Sequence, residues 1–359
     1  MNNFAKKRIL GEGTCFYHVV SRVVDRRRVF GDREKEVFRK LLRNQEAFTG
    51  VRVVTYCLMS NHFHLLLEVP DRERLVPLDE QRLLEVLPLL YDRETVEGVR
   101  QELERAREAG DERWHRDILH RYERRRGDLS QFLKELKLRV TLFMNKRLER
   151  EGTLWQSRFK SVLVEGAESA LQTVAAYIDL NPIRAGMVRT PEEYQWSGYG
   201  EACGGGRGAA LARAGLARIS GVMQRDPGFA EDWEVAAARY RTLLYEEGRE
   251  VAADPQMNQS GRPGFSNEEI EAVHAMGGKM SLPEALRHRV RYFCDGAVLG
   301  SEAFLEEVFA REQLLRQRFG EKRKTGARTM RGADWGGLRV MRDLRNFLLS
   351  RQASSDPRQ

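Results

Sequence analysis

The chain has 359 residues, enough for two domains or for one domain with large attachments, and its 41% hydrophobic content is that of an ordinary soluble protein with a real core. A formal charge of +8 and an isoelectric point near 9.4 tilt it towards an anionic partner, nucleic acid first, rather than a small-molecule substrate. Cys15, Cys57, Cys203 and Cys294 lie far apart and form no CxxC pair, which argues against a disulfide framework or a zinc ribbon and fits a reducing cytoplasm. No signal-like apolar run follows Lys6, Lys7 and Arg8, and no stretch approaches the roughly 20 apolar residues of a membrane span. A soluble, cytoplasmic protein without a membrane partner is expected.

Residues 14–24 mix Phe16, Tyr17, Val19, Val20, Val23 and Val24 with polar positions and predict a first strand, followed by the basic turn Arg26-Arg27-Arg28. Asp32 can cap a helix over 32–48, with Val37, Phe38, Leu41 and Leu42 at helical spacing and Gly50 closing it. The β-rich run 51–58 then turns at Met59-Ser60-Asn61 into a second strand, His62-Phe63-His64-Leu65-Leu66-Leu67-Glu68-Val69. Side chains alternate along a strand, so His62 and His64 share one face with Leu66 and Glu68. Two imidazoles side by side could share a metal ion, although alternate histidines on a half-buried strand are usually hydrogen-bonded or solvent-facing.

After Pro70 the composition shifts to dense mixed charge over 71–126, with helical patterning at 81–91 and 95–109 and a break at Gly110. This reads as an inserted helical arm with a solvated charged face. Asp128 caps the next helix, 129–150, whose core stripe is Phe132, Leu133, Leu136, Val140 and Phe143, and Gly152 terminates it. The run 154–162 predicts a strand that separates Trp155 and Phe159 from Arg158 and Lys160, giving a basic face suited to phosphates. A helix over 168–180 buries Leu171, Val174, Ala175 and Ile178, with Tyr177 and Asn181 on its flank and Pro182 breaking it. By itself such a tyrosine packs its ring at the core edge and hydrogen-bonds its hydroxyl. The order strand, helix, two-stranded hairpin, helix, strand, helix is the α+β, ferredoxin-like pattern, an antiparallel sheet with helices on one face and the HxH strand central.

The stretches MSNHFHLLLEVP, DLSQFLKELKLRVTLFMNKR, GTLWQSRFKSVLVE and AAYIDLNPIRAGMV together resemble, in order and spacing, the REP-associated tyrosine transposases, HUH single-strand endonucleases of the insertion-sequence transposase superfamily. The resemblance covers about residues 10–200. It implies that His62 and His64 are metal ligands, that Asn181 falls where a third polar ligand is placed, and that Tyr177 is the nucleophile. The implied cofactor is a divalent metal, Mg or Mn, and the implied substrate single-stranded or hairpin DNA, handled by a monomer or a homodimer. The sequence departs from the usual pattern at Ser60, often Pro, and at Asp179, often His. Lys6, Lys7, Arg8, Arg26, Arg27, Arg28, Arg158 and Lys160 are the candidate phosphate contacts. A non-catalytic regulator that binds DNA hairpins and a hydrolase that uses water are the rival readings.

Residues 1–200 are thus expected to form the catalytic domain, with 71–126 as its insertion, and 201–264 a linker with a helical segment. Breaks are marked by Gly204-Gly205-Gly206 and by 255–264, with helical patterning over 211–247. A mostly α-helical module over 265–350 follows, from helices at 282–293 and 302–319 and a capping pattern at Ser266; it could form a DNA-binding helix-turn-helix or a packing module. Its YFCDGAVLGSEAFLEEVF segment resembles the C-terminal extension of longer members of the family. Basic Lys322-Arg323-Lys324, Arg328 and Arg331 follow, and 351–359 reads as a disordered tail.

Overall fold

The computed structural model describes residues 9–219, 237, 240, 244, 292–317, 327–330, 335 and 337–341. Lys6, Lys7, Arg8, most of the expected helix 211–247, nearly all of the helix 282–293, the Lys322-Arg323-Lys324 run and 351–359 lie outside the described residues. Among the described residues no helix is long and apolar enough to cross a membrane.

Strands β1 (Cys15–Arg22), β2 (Arg52–Leu58), β3 (His62–Val69) and β4 (Lys160–Val164) stand in the order β2-β3-β1-β4, antiparallel throughout. This is the ferredoxin-like arrangement, and β3 is flanked on both sides. Helices α1 (Asp32–Thr49) and α5 (Leu129–Arg147) join the chain between those strands and lie together on one face. There Phe38, Leu42, Phe132, Leu133 and Leu136 meet Tyr17, Val19, Phe63, Leu65 and Leu67. Those five helical side chains are 0–2% exposed, and each such burial contributes about 1.5–3 kcal/mol. Asp128 caps α5, its carboxylate accepting from Ser130 N at 2.7 Å and Gln131 N at 3.0 Å, as its position before an apolar run suggests. Asp32 is instead the first helical residue; the N-cap is Gly31, whose N–H donates to Glu34 Oε2 at 2.8 Å.

The opposite face is covered too. Helix α6 (Glu168–Asp179) runs on into the short α7 (Asn181–Arg184), and α6, α8 (Gly198–Cys203) and α9 (Gly206–Ala217) pack there against Val54, Cys57, Leu66, Val162 and Val164, so helices are not confined to one face. From Thr173 to Asp179 every residue of α6 is buried, which the one-sided stripe did not foretell. The described C-terminal residues add strands as well as a helix. β5 (Val298–Gly300) pairs parallel with β4, and β7 (Arg339–Met341) and β6 (Ala327–Thr329) extend the sheet to seven strands. Three-residue strands carry no readable alternation. The expected strand 154–162 begins only at Lys160. Trp155 is held earlier by a bridge to Val23 and by its indole N–H donating to Lys137 O and Thr141 Oγ1.

Between β3 and α5 the charged segment folds into α2 (Glu80–Val86), α3 (Arg93–Glu108) and α4 (Glu112–Glu123). Their apolar sides form a separate small core, Leu83, Leu87, Val99, Leu103 and Ile118, seated on Phe48 of α1. The excursion therefore buries an interior of its own beneath its charged surface.

α9 reaches β2 through Gly215, where an added Cβ would lie 2.4 Å from Val53 O and 2.6 Å from Val54 O. Backbone cannot yield there, so Gly215→Ala should lower stability by about 1–3 kcal/mol. A thermal melt checks this; an unchanged midpoint would mean that α9 is not seated on β2.

Candidate active site

Residues opposite one another on paired strands share a face, and three rows cross the α6 side of the sheet. These are Arg22–His62, Lys160–Val20–His64 and Val162–His18–Leu66. The sheet thus brings a third histidine, His18, diagonally beside His64. Helix α6 hangs Tyr177 above them, its ring centroid 5.9 Å from both the His18 and His64 rings, while His62 and His64 lie 5.1 Å apart. The structure therefore gathers His62, His64 and Tyr177, which 113 to 115 positions of sequence separate.

Hydrogen bonds fix what each imidazole can do. His62 Nδ1 lies 2.7 Å from Asn61 Oδ1, and Asn61 Nδ2 donates to Arg26 O at 2.9 Å, which sets the amide orientation. Asn61 Oδ1 is thus the acceptor and His62 carries a proton on Nδ1, so Nε2 is the nitrogen that could take a cation. His64 is 2% exposed, and burial, with the neighbouring His62 and His18 next, holds it well below the ordinary imidazole range, so it is neutral. Two imidazoles on one face of a strand are suitable metal donors. Among the described residues no group of three or more His, Cys, Asp or Glu side chains could hold a metal. A cation here would thus take two imidazoles and complete its shell with oxygen donors, a set that suits Mg or Mn in chemistry though not as a closed protein cage.

Asn181 is bound at the end of α6, its Nδ2 donating to Tyr177 O at 3.0 Å and Ile178 O at 3.1 Å. Arg184 donates to Tyr177 O and places its guanidinium 4.2 Å from the Tyr177 ring centre. Phe293 stacks on the other side of that ring at 4.5 Å, and the Tyr177 hydroxyl lies 3.2 Å from Cys294 Sγ. Burial raises the Tyr177 phenol far above its usual range, the Cys294 thiol adds to this, and Arg184 opposes it. The resting phenol is protonated.

Of the basic candidates, Arg26, Arg27 and Arg28 are exposed in a turn fastened to the histidine hairpin by the Asn61 bond to Arg26 O. Val23 N donates to Asn61 O and Phe30 N to Ser60 O, bracing the same turn from both ends. Lys160 is exposed on the His64 row, and Arg158 is exposed just before β4. His18, Arg22, Arg184, Phe293 and Cys294 belong to the site although sequence reasoning did not choose them. His18 and Arg22 had a signal, since β1 alternates Phe16, His18, Val20, Arg22 and the ferredoxin-like order sets β1 beside β3. Arg184 stands inside the AAYIDLNPIRAG stretch. Phe293 and Cys294 stand inside the YFCDGAVLGSEAFLEEVF stretch, but nothing in it tied them to the histidines.

Residues 13–77, spanning β1 to β3 and including His18, His62 and His64, match the family model described as "Transposase IS200 like". A solved structure described as "Structure of the REP associates tyrosine transposase bound to a REP hairpin" is similar at 14% identity over 55% of this chain and 83% of that one, with a TM-score of 0.34. No curated protein matches.

Proposed function

We propose that this chain, with its IS200-like transposase segment at 13–77, is a metal-dependent transposase of the REP-associated tyrosine type. It cuts and rejoins single-stranded or hairpin DNA through a 5′-phosphotyrosine link. The observation that carries this reading is the convergence of Tyr177 on His64, with His62 alongside. A phenol is a natural nucleophile at phosphorus, and two neutral imidazoles beside it are otherwise without a catalytic task.

His62 and His64 through Nε2, with Asn181 Oδ1 as the third protein donor, would hold Mg or Mn, which when bound supplies charge neutralisation at a nonbridging phosphate oxygen. Tyr177 Oη then bonds to phosphorus as the bond to the 3′ oxygen breaks, and the phenolic proton ends on that oxygen. The products are a 5′-phosphotyrosine and a free 3′-hydroxyl. The ester keeps the bond energy, so the reverse step reseals a strand without a nucleotide cofactor. Arg184, over the Tyr177 ring, favours the negative charge that develops on the phenol oxygen. Arg22, Arg26, Arg27, Arg28, Arg158 and Lys160 stand around the same face or its edges and would hold the DNA backbone, in keeping with the +8 charge.

The test is incubation of the full chain with end-labelled hairpin DNA and Mn, followed by denaturing electrophoresis. A denaturant-resistant adduct that chelation prevents is expected. Cleavage without adduct would favour a water-using hydrolase, and binding without cleavage in both Mn and Mg would favour a regulator.

A further inference from the structure

His18 has no part in the chemistry above, yet it is buried at 1% exposure and bonded at both ring nitrogens. Its Nδ1 lies 2.7 Å from Phe293 O, 275 positions away, and its Nε2 lies 3.0 Å from His64 Nδ1. A carbonyl oxygen only accepts, so His18 must carry a proton on Nδ1. Among the described residues no carboxylate faces the ring, and a buried imidazolium without a counter-ion is costly, so His18 is neutral and its Nε2 is an acceptor. The shared proton of the 3.0 Å contact therefore belongs to His64 Nδ1. The ring planes are 17° from parallel with centroids 5.2 Å apart, which is the separation of two rings joined edge to edge by an in-plane N–H···N bond rather than stacked.

We propose that His18 is a positioning residue that relays the acceptor character of the Phe293 carbonyl to His64, locking His64 as the Nδ1–H tautomer so that its Nε2 lone pair is presented for a divalent cation. The proposal deepens the reading of His62 and His64 as metal ligands and rests on it for the role of the lone pair. The two histidines then reach the same tautomer by separate routes, His62 through the local Asn61 oxygen and His64 through a relay that ends in a C-terminal backbone carbonyl. An imidazole that ligates through one nitrogen is oriented by the hydrogen bond at the other, and loss of such a partner typically costs about 10- to 100-fold in metal affinity. One consequence is that the C-terminal segment is needed to set the tautomer of a ligand on β3.

The experiment begins with the metal-free full chain labelled with nitrogen-15, in which long-range correlations to the ring carbon-bound protons report each histidine tautomer. His18 and His64 should both be protonated at Nδ1; His64 protonated at Nε2 would overturn the proposal. The second arm titrates Mn into wild type, His18→Phe and His18→Gln and reads free Mn by electron paramagnetic resonance. His18→Phe should bind Mn about 10- to 100-fold more weakly, with His64 divided between tautomers. His18→Gln, whose Oε1 can accept from His64 Nδ1, should recover most of the affinity. Equal Mn affinity in all three chains overturns the proposal. A wild type that binds no Mn counts against the metal reading itself, and the tautomer of His64 then decides the relay. If His18→Phe does not fold, the wild-type tautomer and the His18→Gln titration decide it.

Discussion

Tyr177→Phe is expected to abolish the covalent protein–DNA adduct and to lower strand cleavage by roughly 10³-fold or more, a barrier increase of at least ~4 kcal/mol. The substitution removes one oxygen and little else. The ring keeps its stacking on Phe293 and its place under the Arg184 guanidinium, and the lost hydroxyl contact is to a thiol, a weak partner. Stability should therefore change by only about 1 kcal/mol or less, so that a folded, DNA-binding, inactive protein results. The readout is the labelled adduct together with a melt and a binding curve on the same sample. Cleavage that survives in Tyr177→Phe would remove the tyrosine from the mechanism.

Asp179→Ala should destabilise the fold by about 3–5 kcal/mol, among the larger costs of any single change in this chain. The carboxylate is 0% exposed and accepts from Thr55 Oγ1 at 2.9 and 3.0 Å, Tyr199 N at 3.2 Å and Tyr240 Oη at 2.6 Å. It ties the end of the tyrosine-bearing helix to β2 and α8, and alanine would leave three buried donors unpaired. Burial raises its pKa to about 7 despite the hydrogen bonds from Tyr240, Tyr199 and Thr55. The folded state thus holds this proton more tightly than the unfolded chain, whose carboxyl has the ordinary value. The stabilisation is fully present below pH ~4 and is lost as pH rises through about 7. Denaturant titrations at intervals from pH 4 to 8 should show this fall in wild type, superimposed on the other titrations. In Asp179→Asn, which keeps an acceptor but no titration, the fall should be smaller. Identical pH profiles for the two would mean that the carboxyl is not held in this way.

This network bears on a departure visible in the sequence, Asp179 where the resembling family often has His. An aspartate there points into the protein, towards Thr55 and Tyr240, rather than towards the histidine pair. Its contribution is to hold the helix that carries Tyr177.

Much of the site was legible because its chemistry is written locally. Period-two alternation put His62 and His64 on one face of a strand, Pro70 and Gly50 bounded the elements, and the position of Asp128 announced α5. The ferredoxin-like order followed from the succession of periods. What no local pattern could carry was which surfaces meet. α6 looked amphipathic because its stripe is apolar, but Phe293 and the helices α8 and α9 bury its remaining faces, so Tyr177 is enclosed rather than at a core edge. The charged segment 71–126 looked solvated because charge dominates its composition, while its widely spaced leucines find one another only when three helices fold together.

The sequence by itself thus determined the strand that pairs two imidazoles and the helices beside it, since each depends on side-chain spacing within one element. Tertiary structure alone decided that Tyr177 hangs over the histidines, that Arg184 lies over the tyrosine, and that a carbonyl 275 positions away meets His18 Nδ1. A hydrogen bond has a reach of about 3 Å in space and none along the chain, so its partner is known only once the sheet has been assembled.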